Sequence, residues 1–160
     1  MPATLWNLAF RPENQLAIAQ ARGERGIPVL VDIARGEGRP AGGGGVGEAW
    51  DGRPFTSTSW GARERAAGVL QNLTCNIDLR VRVIAAGAVD VFVGMLRLDG
   101  CTETAKEVAA GALWNLMIDT GSSRAVVIAS GGATALVDLV RDVLRPLIHG
   151  QSQRALGGNG

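Results

Sequence analysis

The stretch Ala109-Ala110-Gly111-Ala112-Leu113-Trp114-Asn115-Leu116 decides the fold, because it is not written once. Ala66-Ala67-Gly68-Val69-Leu70-Gln71-Asn72-Leu73 repeats it 43 residues earlier, and Leu5-Trp6-Asn7-Leu8 gives its last four positions again. Downstream of each copy, after a polar stretch, comes a small apolar block opened by glycine: Gly26-Ile27-Pro28-Val29-Leu30-Val31, Gly87-Ala88-Val89-Asp90-Val91-Phe92 and Gly132-Ala133-Thr134-Ala135-Leu136-Val137. A self-similar unit of roughly 40–47 residues marks an array in which neighbouring helical units bury one continuous core.

The clearest unit covers residues 77–119. Leu79, Val83 and Ile84 predict a first helix from Asp78 to Ala86, closed by Gly87 as a glycine cap. Val89, Phe92, Val93 and Leu96 predict a second from Val89 to Leu98, ended by the turn Asp99-Gly100. A third helix fits Thr102 to Met117, with Thr102 or Thr104 as its N-cap. At roughly 100° per residue, Ala109, Ala110, Leu113, Leu116 and Met117 fall within an arc of about 120°. Asn115 lies roughly 200° from the centre of that arc, beside Val108 and Gly111. The expectation is an amide held out of the core, with Asn72 in the same position one unit earlier.

The three-helix unit, the glycine-opened second helix and the Ala-Ala-Gly-Ala-Leu-Trp-Asn-Leu phrase resemble the armadillo repeat family over residues 3–35 and 62–143. The phrase is closest to general scaffold members, similar to the vacuolar armadillo protein, the plakophilins and beta-catenin-like repeats. The resemblance implies an all-α, right-handed α-solenoid of about two full units plus partial ends. It also implies that third helices line a concave groove for an extended polypeptide. Asn7, Asn72 and Asn115 match the family's peptide-backbone amides, flanked on that face by Val108, Gly68 and Gly111. In import adaptors of the importin-alpha type a Trp stands one turn before the Asn. Here Ala3, Gly68 and Gly111 occupy those positions, a departure that weighs against recognition of basic signals.

The expected organisation is an array over residues 1–143 in pieces 1–35 plus 61–76, 77–119 and 120–143. It is interrupted by a flexible insert at 36–60 and followed by a frayed tail at 144–160. The Asn7-to-Asn72 interval is 65 residues, and its excess falls in Gly36 to Trp60, which holds eight glycines. Glycine loses the most backbone freedom on ordering, so a loop between second and third helices is expected, with retained noncoding sequence as the alternative. Trp50, Phe55 and Trp60 are candidates to tack it down. The first copy of the phrase lies so near Met1 that the chain also reads as a piece of a longer repeat protein.

Composition narrows the chemistry. Hydrophobic residues make up 46% of the chain and aromatics only 4%, which suits aliphatic helices. A net charge of +1 gives no electrostatic reason to expect nucleic acid. The longest apolar run, Val108–Ile118, is about half of a membrane span. Cys75 and Cys101 are too few for a disulfide framework or a zinc site. Asp119-Thr120-Gly121-Ser122 spells an aspartic-protease phrase, but two carboxylates must share a proton there and no second copy exists. Gly42–Gly47 lacks the Gly-Lys-Ser/Thr of a phosphate loop. His149 has no nucleophile arranged around it, and Asn72-Leu73-Thr74 is a glycosylation triplet set inside a helix.

The sequence-based expectation is therefore a non-enzymatic scaffold, cytoplasmic or nuclear, with a protein partner. It has no catalytic residues, no metal, no cofactor, no small-molecule substrate, no nucleic acid and no membrane span. For the Asn row, helix-to-helix bridging stands as the structural alternative to peptide binding. A fragment of a larger armadillo-containing ubiquitin ligase or nuclear import adaptor is the second functional alternative.

Overall fold

The computed structural model describes residues 4–36, 59–118 and 121–156. Among these residues the chain is entirely helical: α1 (Thr4–Leu8), α2 (Pro12–Glu24), α3 (Gly26–Arg35), α4 (Trp60–Thr74), α5 (Ile77–Ala85), α6 (Ala88–Arg97), α7 (Glu103–Ile118), α8 (Ser122–Ala129) and α9 (Gly132–Leu156). The three helices expected between 77 and 119 are α5, α6 and α7, with ends shifted by a residue or so. Gly87 takes a left-handed backbone (φ 82°) between α5 and α6, a conformation open to glycine at no steric cost. Thr102, rather than Thr104, caps α7 by accepting the Ala105 N–H at 3.2 Å. Ser59 and Asn76 do the same for α4 and α5.

The helices recur as first (α2, α5, α8), second (α3, α6, α9) and third (α1, α4, α7). Third helices pack on third helices, α1 on α4 and α4 on α7; second helices do likewise, α3 on α6 and α6 on α9. Within a unit the second helix covers the third, as in the α3–α4 and α6–α7 pairs. One continuous core results, from Ala9 through Ile27, Leu70, Phe92 and Leu113 to Ala135.

The expected block alignment of Gly26, Gly87 and Gly132 needs correction by one residue. The turn glycine matching Gly87 is Gly131 (φ 75°), so Gly26 and Gly132 correspond to Ala88 as buried first residues of their helices. In the first unit that turn is made by Arg22, Gly23 and Glu24 at φ 55°, 68° and 69°, and the Glu24 carboxylate pairs with Arg82 of α5. Two non-glycine residues held at positive φ are uncommon and costly.

On either side of the expected insert, α3 closes on Gly36 (φ 92°) and α4 opens at Trp60. Residues 37–58, with Trp50 and Phe55, lie outside the described residues, and so do 157–160. Trp60 packs half-buried on the core with the Arg63 guanidinium 4.1 Å from its ring centroid. Residues 144–156, expected as frayed tail, continue α9 in helical conformation through Pro146.

Leu113 and Leu116 of α7 are fully buried, and α7 packs on α4, α6 and α8. Truncating a buried leucine costs about 2–5 kcal/mol, against a total of about 5–15 kcal/mol for an ordinary domain. Leu113→Ala should leave the chain largely unfolded at room temperature by circular dichroism; a sharp thermal transition near the parent value contradicts this.

Candidate functional site: the third-helix seam

Asn72 was expected on the open face; the structure buries it. Its Nδ2 donates to the Trp6 carbonyl of α1 at 3.1 Å. Asn115 is half-buried and repeats the contact one unit on. Its Nδ2 reaches the Gln71 carbonyl at 3.5 Å, the Thr74 hydroxyl at 3.1 Å and the Cys75 thiol at 3.3 Å. Trp6 and Gln71 occupy the same place in their units, so each amide ties its helix to the preceding third helix. Asn7 is exposed.

Val108 and Gly68 were expected beside the amides on the outer face, and both are buried. The residues of α7 that are truly buried are Ala105, Val108, Ala109, Ala112, Leu113 and Leu116. Their arc spans about 140° and is turned about 70° toward Asn115 compared with the expected one. The cause is the second neighbour: α7 packs on α6 and also on α4, so one apolar stripe serves two contacts.

The glycines of the phrase make that double contact possible. A Cβ on Gly68 would lie 2.6 Å from the Trp6 ring, and one on Gly111 would lie 2.2 Å from Gln71 Nε2. In each case the residue before one Asn lays its side chain across the glycine of the next third helix. Trp114 holds the same position in α7 and is exposed. The signal that finds this pairing in the sequence is the recurrence of Gly four residues before Asn together with a large residue one before it.

Another recurring bond is absent from the sequence-based expectations. Gln15 donates to the Ala9 carbonyl at 2.9 Å, Arg80 to Thr74 at 2.8 Å and Arg124 to Met117 at 2.9 Å. Ala9, Thr74 and Met117 lie within one residue of the C-terminal ends of successive third helices, where backbone carbonyls lack intrahelical partners. Arginine there also meets the negative end of the helix dipole. Gln15 is buried and bonds the Asn72 carbonyl as well, at 3.2 Å, which joins α1, α2 and α4. The residue is glutamine in one unit and arginine in the other two, eight or nine positions after the Asn, a signal too weak to be read from the sequence.

Toward solvent the seam offers Gln71, Cys75, Trp114, Asn115 and Ile118, all half-buried or exposed. It carries an amide and apolar surface but no charge cluster. Among the described residues no group of three His, Cys, Asp or Glu side chains is placed to hold a metal ion. Asp119 and Thr120 lie outside the described residues, and the helices α7 and α8 flank them. The side chain of His149 is outside them too. No single helix among the described residues is long and apolar enough to cross a membrane; α8 and α9 pass by composition only as a pair bent by 64°. No protein-family model matches the chain, and no curated protein or solved structure is significantly similar to it.

The two seam glycines should respond differently to alanine. Alanine gains about 1 kcal/mol of helix propensity over glycine, while overpacking costs about 1–3 kcal/mol. At Gly111 the obstacle is the free end of a glutamine, which can swing aside, so Gly111→Ala should leave the melting temperature unchanged or raise it. At Gly68 the obstacle is an indole packed on the core, so Gly68→Ala should lower it, and adding Trp6→Leu should recover part of the loss. Equal effects at the two sites contradict the seam as described.

The cysteines provide a second check. Cys75 is exposed, whereas Cys101 is buried. Burial pushes the Cys101 thiol above its ordinary pKa, with Lys106 and Arg63 partly opposing, and the thiolate is the reactive form. Iodoacetamide at mildly alkaline pH should modify Cys75 rapidly and Cys101 only on unfolding. Because folding favours the neutral Cys101 thiol, its contribution to stability is complete below the unfolded pKa and declines as pH rises past it toward the higher folded value. Mass spectrometry that finds both thiols labelled at one rate contradicts the assignment.

Proposed function

We propose that the chain is a non-enzymatic protein-interaction module of the armadillo type, binding an extended polypeptide along the surface of its third helices. The observation that carries this reading is the direct stacking of α1, α4 and α7, with an asparagine at the same place in each. Asn7 and Asn115 keep part of their amides at the surface, while Asn72 serves mainly to join α4 to α1. A primary amide has two N–H donors and an oxygen with two lone pairs. Asn115 directs its nitrogen to α4 and still has acceptor capacity for a peptide N–H. The neighbouring Gln71, Trp114 and Ile118 supply a mixed polar and apolar surface without net charge, which suits a neutral or amphipathic segment better than a strongly basic one.

The test is selection of linear peptides from a random display library against the immobilised chain. Selected peptides should bind the parent and lose about tenfold in affinity, about 1.4 kcal/mol, in the Asn7→Ala/Asn115→Ala double variant. They should bind undiminished to Val126→Ala on α8, with the helical circular-dichroism signal unchanged in both variants. Failure to select any binder, or binders indifferent to the asparagines, overturns the proposal.

A further inference from the structure

The units differ in the turn between first and second helix. Gln15, Arg80 and Arg124 make the same contact in their units. Yet Gly26 follows Gln15 by eleven positions, whereas Ala88 follows Arg80, and Gly132 follows Arg124, by eight. The surplus in the first unit is taken up by reversed backbone. α2 is regular only as far as Gln20; Ala21 is extended (ψ 142°), and Arg22, Gly23 and Glu24 all lie in the left-handed region. Three such residues in a row make a short turn of the opposite hand, which any residue with a Cβ resists. The other two units use one glycine there, Gly87 or Gly131. The turn also closes tightly on the helix before it, for a Cβ on Gly26 would lie 1.8 Å from the Ile18 carbonyl oxygen.

A residue of the next unit holds this turn. Arg82 of α5 pairs with the Glu24 carboxylate and donates to the Ala19 carbonyl at 3.3 Å, near the end of the regular part of α2, where carbonyls lack intrahelical partners. One guanidinium therefore grips both the helix end and the strained turn. Little else ties that end of α2 to the stack. Among the described residues α2 buries only Gln15 and Ala19, and it packs mainly on α3, whereas α5 packs directly on α8. Gln15, at the other end of α2, stays bound to the Ala9 and Asn72 carbonyls. The ion pair is open to solvent, Glu24 being 59% and Arg82 34% exposed, so salt screens it.

We propose that the turn over residues 21–25 is a salt-sensitive latch, closed by Arg82, through which the end of α2 leaves α5 while the rest of the core stays packed. In the closed form the ion pair and the left-handed residues oppose one another. Opening frees Arg22 and Glu24 to return to ordinary backbone, and the loss of Arg82 is what it costs. Charge screening sets the balance between the two forms. Local opening of this kind falls to elements with few buried apolar contacts, and α2 is such an element. The latch is independent of peptide binding at the third-helix seam.

The experiment is native-state hydrogen exchange on the full chain, read at the Arg25 N–H, which donates to the Ala21 carbonyl at 3.1 Å. Amides of α4 and α7 serve as the internal reference. Arg82→Gln should speed Arg25 exchange about fivefold at low salt, the effect of losing an exposed ion pair. In about 1 M sodium chloride, where charges are screened beyond about 3 Å, the parent should quicken similarly and Arg82→Gln hardly at all. Arg22→Asn should slow exchange, because asparagine tolerates the left-handed region better than arginine. The reference amides should keep their parent rates throughout. The latch is overturned by Arg25 exchange indifferent to Arg82→Gln, or by a salt effect undiminished in that variant. It is equally overturned by faster exchange in Arg22→Asn, or by reference amides that quicken in step with Arg25, which would make the opening global.

Discussion

Close approach of successive third helices is the constraint from which the rest of this structure follows. α4 lies against α1 and α7 against α4 at a distance that leaves no room for a Cβ at Gly68 unless the Trp6 ring moves. That proximity lets the Asn72 amide reach a backbone carbonyl of the neighbouring helix, and it turns a row of small residues into core. Each third helix must then satisfy two neighbours at once, its own second helix and the preceding third helix. Alanine and glycine suit such a helix because bulk on either side would separate one contact in making the other.

The polar groups serve the same end. Third helices end against first helices of the following unit, and there a long side chain meets the last carbonyl: Gln15, Arg80 or Arg124. Second helices are joined to the following turn in a similar way, for Arg97 donates to the Gly131 carbonyl at 3.3 Å, and Arg35 lies beside Gly87. These bonds occur at helix ends, where backbone groups otherwise face either solvent or an unpaired burial. They set the spacing of the units without consuming the outward surface of the seam.

A stack of this kind has no internal reason to stop. Among the described residues each third helix packs on the preceding third helix, and each second helix on the preceding second helix. Leu5 and Leu8 of α1 are exposed, whereas Leu70 and Leu73 at the same positions of α4 are buried, and Trp114, Val137 and Val140 are exposed as well. Large contiguous apolar surface commonly marks a place of contact.

The sequence by itself determined the all-helical architecture and the three helices between 77 and 119. Those features are local: helical periodicity, the turn glycine at 87 and the threonine cap at 102 act within a few residues of themselves. It also determined that Leu113 and Leu116 lie in the core, because a strongly apolar stripe has only one stable place. Tertiary structure alone decided the outward face. Angular arithmetic on a single helix assumes one neighbour, and α7 has several, so Val108 and Gly68 moved from the expected surface into contact and Asn72 became a tie between helices. The roles of Gln15 and Arg124 were invisible for a related reason. A carbonyl at a helix end accepts from any suitable donor that reaches it, and which side chain reaches it is settled only when the helices have packed.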